Sequence, residues 1–187
     1  MEKAAAASNM ANDVARDDLL ILVDGRDKAI GMATKERAHV EGLLHRAFSV
    51  VLVRQGEAGQ EFLLSQRAAG KYHSAGLWAN SCCSHPRAGE EVLAAAYRRV
   101  PEELGCAVSG LQEIGAFCYR TPFGNGLCEY EYDHVLVGQA EGEPDPDPAE
   151  VGAVRWVSVD ELAAELAERP ERFASWAFTV LAMAMQA

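Results

Sequence analysis

The sequence predicts an α+β sandwich rather than a doubly wound parallel sheet. Three observations carry this: β-type runs come in pairs joined by polar, Gly-containing turns, one helical segment is inserted among them, and helices close the chain. With 187 residues, 49% of them hydrophobic, the chain has apolar material for one full core and little for a second.

At the start, LLILVD and AIGMA flank Gly25-Arg26-Asp27, a hairpin entered through Asp24-Gly25. Thr34 to Gly42 is read as a polar turn. AFSVVLVR and EFLLSQR then make a second hairpin across QGEAGQ. In SAGLWANSCCSHPRAGE, Ser74 to Glu90, a thiol at Cys83 and an imidazole at His85 stand two residues apart ahead of a helix. Side chains alternate along a strand, so a short extended segment would put both on one side.

Glu90 to Leu104 carries Leu93, Ala96, Tyr97, Val100 and Leu104 at helical spacing and ends at Gly105, with Pro101 expected to kink the last turn. IGAFCYRT and LCEYEYDHVLVG are long β-type segments joined by PFGNG, and the acidic, Pro-rich EGEPDPDPAE leads to the strand AVRWV. Ser158 and Glu161 form a capping box for VDELAAELAER, which Pro170 stops. Phe173, Trp176, Ala177, Val180, Leu181 and Ala184 give an apolar stripe on a closing helix. Residues 1–18 are Ala-rich and polar without a sustained stripe and are read as a disordered leader, leaving 19–187 as one domain.

Composition excludes several classes of function. A net charge of -11 argues against a nucleic-acid partner, although an anionic small substrate fits if cations gather locally. Five cysteines without a secretory apolar segment point to a reducing, cytoplasmic setting. No apolar run approaches the roughly 18 residues of a membrane span.

The chemistry-bearing residues form two groups. His39 and His45 bracket the entry to a strand, His85 lies beside Cys83, and Glu129 and Glu131 share one strand face. Three imidazoles and two carboxylates suit Mn²⁺ or Zn²⁺ at least as well as Mg²⁺. Taken singly, such histidines are ordinary core or surface residues, and the paired glutamates read as a solvated edge that Asp133 would continue. Lys35, Arg67, Lys71 and Arg99 surround the cysteine motif in an otherwise acidic chain, and Arg99 shares a helix face with Glu103. Together they could hold a metal-bound diphosphate; each alone reads as a surface charge.

NSCCSHPRAGE, the downstream RRVPEELG, the pair in CEYE and the two upstream histidines resemble the type I isopentenyl diphosphate isomerases of the Nudix superfamily, from about Leu19 to the C-terminal helix. The hydrolase form of the Nudix box runs G-x5-E-x7-R-E-U-x-E-E-x-G-U, with U a bulky apolar residue. Here Ser84 stands at its first Gly, Glu90 at the first Glu and Arg98 at the Arg. Arg99 replaces the next Glu, while Glu102, Glu103 and Gly105 fit. The isomerases depart in the same direction.

The resemblance implies a Nudix-like α/β/α sandwich of mixed sheet with flanking helices. It also implies interconversion of isopentenyl and dimethylallyl diphosphate in isoprenoid biosynthesis. By that resemblance His39, His45, His85, Glu129 and Glu131 bind a divalent metal (Mn²⁺, Mg²⁺ or Zn²⁺), and Glu103 helps hold Mg²⁺ on the diphosphate. Lys35, Arg67, Lys71 and Arg99 contact the diphosphate. Cys83 and Glu131 transfer protons, Tyr119 assists near Glu131, and Trp176 lies beside the hydrocarbon. Cys82 is assigned to packing, and Cys106, Cys118 and Cys128 are read as buried thiols. The implied partner is a small isoprenoid diphosphate, bound by a monomer or weak homodimer. The alternatives are a Nudix hydrolase of a nucleoside diphosphate derivative and a catalytically idle, metal-stabilised binding module.

Overall fold

Three long strands alternate their side chains between two apolar layers, and this alternation organises the molecule. The computed structural model describes residues 19–57 and 59–187; the predicted leader lies outside them. In order, the elements are β1 (Leu19–Val23), β2 (Ala29–Thr34), α1 (Lys35–Glu41), β3 (His45–Gly56), β4 (Gly59–Arg67), β5 (Trp78–Ala79) and β6 (Cys82–Ser84). Then come α2 (Val92–Leu104), β7 (Ala107–Pro122), β8 (Cys128–Glu141), β9 (Val151–Ser158), α3 (Val159–Glu168), a 3-10 turn at Pro170–Arg172 and α4 (Ala177–Ala184).

β3 is the hub of a mixed sheet. It pairs in parallel with β8 from His45↔Glu131 to Val53↔Gln139, and antiparallel with β6 and β4. The β7–β8 and β4–β9 pairs are antiparallel. Val51, Phe62, Leu64 and Val135 point to one layer, where α4 supplies Ala177, Val180, Leu181 and Ala184. Phe48, Val50, Leu52, Leu63 and Leu136 point to the other, against Ala95, Ala96, Val100 and Leu104 of α2. Central strands covered on both faces read as continuous apolar runs, as FSVVL does. Fully burying one such Leu or Phe stabilises by roughly 1.5–3 kcal/mol. The α+β class and the α/β/α sandwich are therefore as predicted.

Three details differ from the sequence expectation. The supposed polar turn at Thr34 to Gly42 is helix α1: the Thr34 hydroxyl accepts from Arg37 N at 3.2 Å, and Gly42 closes the helix in the left-handed region at φ 61°. Leu93 and Tyr97, placed on the apolar stripe of α2, are 40% and 44% exposed. Small Ala95 and Ala96 pack there instead, which lets α2 approach the sheet closely. Cys118, expected to be buried, is exposed on β7. Pro101 lies within α2, which continues to Leu104. The capping box at Ser158 and Glu161 is formed.

Gly105 ends α2 at φ 65°, and a Cβ there would collide with the backbone carbonyl of Asp145. Gly89, at φ 78°, has open space around the same position. Gly89→Ala should therefore cost only the left-handed strain of about 1–2 kcal/mol, and Gly105→Ala at least about 2 kcal/mol more, in urea unfolding. Equal losses would contradict the docking of the 143–150 loop on the end of α2.

Candidate active site

Registry sets the site. His45 on β3 faces Glu131 on β8, which faces Tyr119 on β7, so three adjacent strands line up imidazole, carboxylate and phenol in one row. Four residues along β3 and on the same face, Ser49 pairs with Cys83 of β6. Glu129, Glu131 and Asp133 thus point to the α4 side and are buried there. The solvated-edge alternative fails: Asp133 is 1% exposed.

α1 delivers Lys35 and His39 from one helix face, four residues apart. His39 Nδ1 lies 2.6 Å from the Lys35 carbonyl, and His45 Nδ1 lies 2.8 Å from the Leu43 carbonyl. A carbonyl oxygen can only accept, so each Nδ1 carries the proton and each neutral ring turns its Nε2 lone pair inward. His45 Nε2 stands 3.5 Å from Glu131 Oε1 without a hydrogen bond, and His85 Nε2 stands 3.0 Å from the same oxygen. Glu131 Oε2 accepts from Tyr119 Oη at 2.6 Å, and that phenol also reaches Glu129 Oε2 at 3.1 Å.

Lone pairs and carboxylates converging in a buried space call for a cation between them. The donor atoms of His39, His45 and Glu131 lie within 4.8 Å of one another, and so do those of His39, His73 and Glu129. These nitrogen and oxygen donors fit a divalent metal. Burial opposes charge on His45, yet the facing Glu131 carboxylate outweighs it and raises the imidazole above its usual 6.5. Burial lowers His39, and pushes His85 down to about 4. Burial also opposes the Glu131 charge, but the facing His45 and His85 imidazoles hold its carboxyl well below the usual range.

Cys83 occupies the next part of the pocket. Its Sγ donates to Asn80 Oδ1 at 3.2 Å, accepts from Trp176 Nε1 at 3.2 Å, and lies 3.5 Å from Ser49 Oγ, which donates to Asp133 Oδ2 at 2.8 Å. Burial pushes the thiol up to about 12, with the Asp133 charge adding to the effect. Burial, then the charge on Glu131, raises Asp133 well above its usual value. Cys82, one residue away, faces the α2 layer as expected.

The opposite end of the pocket is cationic. Lys35, Arg67, Lys71 and Arg99 all line it, with Glu103 and Glu150. Arg99 Nη2 donates to Glu103 Oε1 at 2.6 Å, and Lys71 hydrogen-bonds Glu150. Burial lowers Lys35, and the neighbouring Lys71 charge lowers it further, against the pull of Glu131, Glu150 and Glu129. Burial raises Glu103, against the pull of Arg99.

Lys35, Arg67, Lys71, Cys83, His85, Arg99, Glu103, Tyr119, Glu129, Glu131 and Trp176 line one pocket, and His39 and His45 stand against its Glu131. Sequence reasoning missed His73, Ser49, Asn80 and Glu150. His73 sits in a polar stretch without periodicity. Glu150 comes from the acidic loop, which docks on α2 through Asp145 N to Leu104 O at 2.9 Å and Asp147 N to Glu103 O at 3.0 Å.

A family model described as NUDIX domain matches residues 43–177. An isopentenyl-diphosphate Delta-isomerase of Serratia proteamaculans is 46% identical over 165 residues, covering 88% of this chain and 90% of that protein. The chain belongs to the isopentenyl-diphosphate Delta-isomerases of the Nudix family. A Delta-isomerase of Streptomyces griseus is 47% identical over 180 residues, covering 95% of this chain and 89% of that one.

Solved structures agree at the level of architecture. A Deinococcus radiodurans protein superposes with a TM-score of 0.67 at 20% identity, covering 87% of this chain and 96% of that one. A MutT NUDIX hydrolase from Burkholderia pseudomallei gives 0.59 at 22%, covering 75% and 97%. In the Nudix-box helix α2 of this chain, Arg98 clamps Glu90 with two hydrogen bonds of 2.8 Å, while Arg99 binds Glu102 and Glu103.

Because His45 is raised while His39 and His85 are lowered, one proton should compete with a divalent cation near neutral pH. Mn²⁺ affinity measured by calorimetry should rise with pH and fall by about tenfold per unit once the pH drops below the raised His45 value, which lies above 6.5. A flat profile would contradict competition at His45.

Proposed function

We propose that this protein interconverts isopentenyl and dimethylallyl diphosphate by adding a proton at C4 and removing one from C2. The single observation that carries this is the pairing, in one pocket, of a protonated thiol at Cys83 with an ionised carboxylate at Glu131, beside the indole of Trp176. An alkene is a very weak base, so the reaction needs a positioned acid, a positioned base and walls that keep water from a tertiary carbocation.

In these protonation states Cys83 holds the proton to be given to C4 and Glu131 Oε accepts the one leaving C2; the return direction reverses the roles. Tyr119 hydrogen-bonds Glu131 and holds its orientation. Asn80 and Trp176 fix the thiol. The Trp176 face offers up to about 2 kcal/mol to a desolvated cation. Lys35, Arg67, Lys71 and Arg99 take the diphosphate, exchanging their present carboxylate partners for phosphate oxygens where these overlap. A divalent ion held by His39, His45, His85, Glu129 and Glu131 would neutralise the buried carboxylates and fix Glu131, and Glu103 would help keep Mg²⁺ on the diphosphate.

Hydrolysis of a nucleoside diphosphate derivative is disfavoured by Arg99, which replaces a box glutamate and ties up two of the remaining ones. The five free cysteines fit the reducing cytoplasm, and none of the described helices is long and apolar enough to cross a membrane.

Incubation with isopentenyl diphosphate and Mg²⁺ in D₂O should give dimethylallyl diphosphate with deuterium at the transposed methyl carbon, followed by NMR. Phosphate release without that product would overturn the isomerase assignment in favour of hydrolysis. Cys83→Ala and Glu131→Gln should each lower kcat by at least about 10² with the fold retained, since each removes a proton-transfer group. Near-native turnover in Cys83→Ala would remove the thiol from the mechanism.

A further inference from the structure

His73 belongs to neither proton transfer nor the diphosphate contacts, and its placement is constructed in detail. Its side chain is 2% exposed, and its Nε2 lies 2.9 Å from Glu129 Oε1. That contact lacks hydrogen-bond geometry, so Nε2 is a buried polar atom without a partner. The ring is stacked on Phe123 at 4.4 Å between centroids and set against Tyr72 at 4.5 Å.

The loop that carries it is pinned on both sides. Arg67 donates twice to the His73 carbonyl at 3.3 Å, Asn125 Nδ2 donates to the Tyr72 carbonyl at 3.1 Å, and Gln66 Nε2 donates to the Gly76 carbonyl at 2.9 Å. Ser74, the next residue, is held at φ 51°, a conformation that non-glycine residues adopt at a cost. Such over-determination aims one imidazole at Glu129 and His39.

We propose that His73 is a sixth protein donor to the divalent ion, closing a shell of His39, His45, His73, His85, Glu129 and Glu131. The proposal rests on the assignment of the His/Glu cluster as a metal centre and deepens it. His39 is shared by both convergent donor sets, the one with His45 and Glu131 and the one with His73 and Glu129. Its Nδ1 is committed to the Lys35 carbonyl, leaving one lone pair, on Nε2, which lies 3.4 Å from the Tyr72 hydroxyl. One lone pair serves one ion, so the two sets cannot hold two cations at once, and a single cation shared by both is the arrangement proposed.

Six protein donors leave no coordination position for water. Closed shells mark metals that hold structure, whereas metals that activate water keep a position open. A closed shell suits a pocket that must shelter a carbocation, because it removes the nearest potential nucleophile. Four imidazoles among six donors also favour Mn²⁺ or Zn²⁺ over Mg²⁺ in this position.

Titration of metal-free protein with Mn²⁺, read by the EPR signal of free ion and by water-proton relaxation, tests this. The native chain should bind Mn²⁺ with little relaxation enhancement, because no water touches the bound ion. His73→Ala should bind at least about tenfold more weakly and show a higher enhancement as water fills the vacated position. Thermal melting of both proteins without metal establishes that the variant is folded. His73→Gln, which keeps an amide donor beside Glu129, guards against a purely supporting role. Native affinity and relaxation in His73→Ala would overturn ligation by His73. Strong enhancement in native protein with bound Mn²⁺ would overturn the closed shell while leaving the metal centre. Failure of the native chain to bind Mn²⁺ at all would overturn both.

Discussion

The parallel pairing of β3 with β8 is the constraint on which the site depends. It sets His45 beside Glu131, and the antiparallel pairing of β7 on the far side of β8 adds Tyr119 to the same row. A slip of one residue would turn Glu129, Glu131 and Asp133 toward the α2 layer and expel Val135 from the α4 layer. The apolar remainder of both strands opposes such a slip, since Val51 and Val135 fill one layer while Phe48, Val50 and Leu136 fill the other. Core packing and catalytic geometry are thus two ends of the same strands.

Charge is distributed along the pocket in a way that the net value of -11 conceals. At one end, buried carboxylates face neutral imidazoles and a phenol. At the other, Arg99 and Lys71 are held by Glu103 and Glu150. Removing two ions from water costs several kcal/mol unless each finds a partner, so these carboxylates keep the cations tolerable before any anion arrives. Glu150 plays this part from the acidic loop because the loop's backbone is fastened to the end of α2. A segment whose composition reads as solvent-facing therefore shapes the cationic end of the pocket.

Much of this was legible in the sequence because the signals were local. The hairpins followed from period-2 runs and turn residues, the cap of α3 from Ser158 and Glu161, and the placement of Cys83 beside His85 from two-residue spacing. The convergence of His39, His45 and Glu131 was legible only through the family resemblance, since no local pattern reports a contact across 86 residues. α1 escaped although its signals were present, Thr34 as a cap and Gly42 as a terminator, because seven residues are too few for a clear stripe. Leu93 and Tyr97 were misplaced because the spacing along α2 fits two faces, and the alanines of the buried face carry a weak apolar signal. His73 was invisible: its position depends on Arg67, Asn125 and the backbone of Ser74, which no periodicity records.

The environment of Cys83 has a consequence for the cell. Electrophiles and peroxides attack the thiolate form of cysteine, and a thiol held up to about 12 presents almost none of it. A buried thiol that stays protonated is by the same physics a poor target for oxidative damage and for thiol-directed reagents.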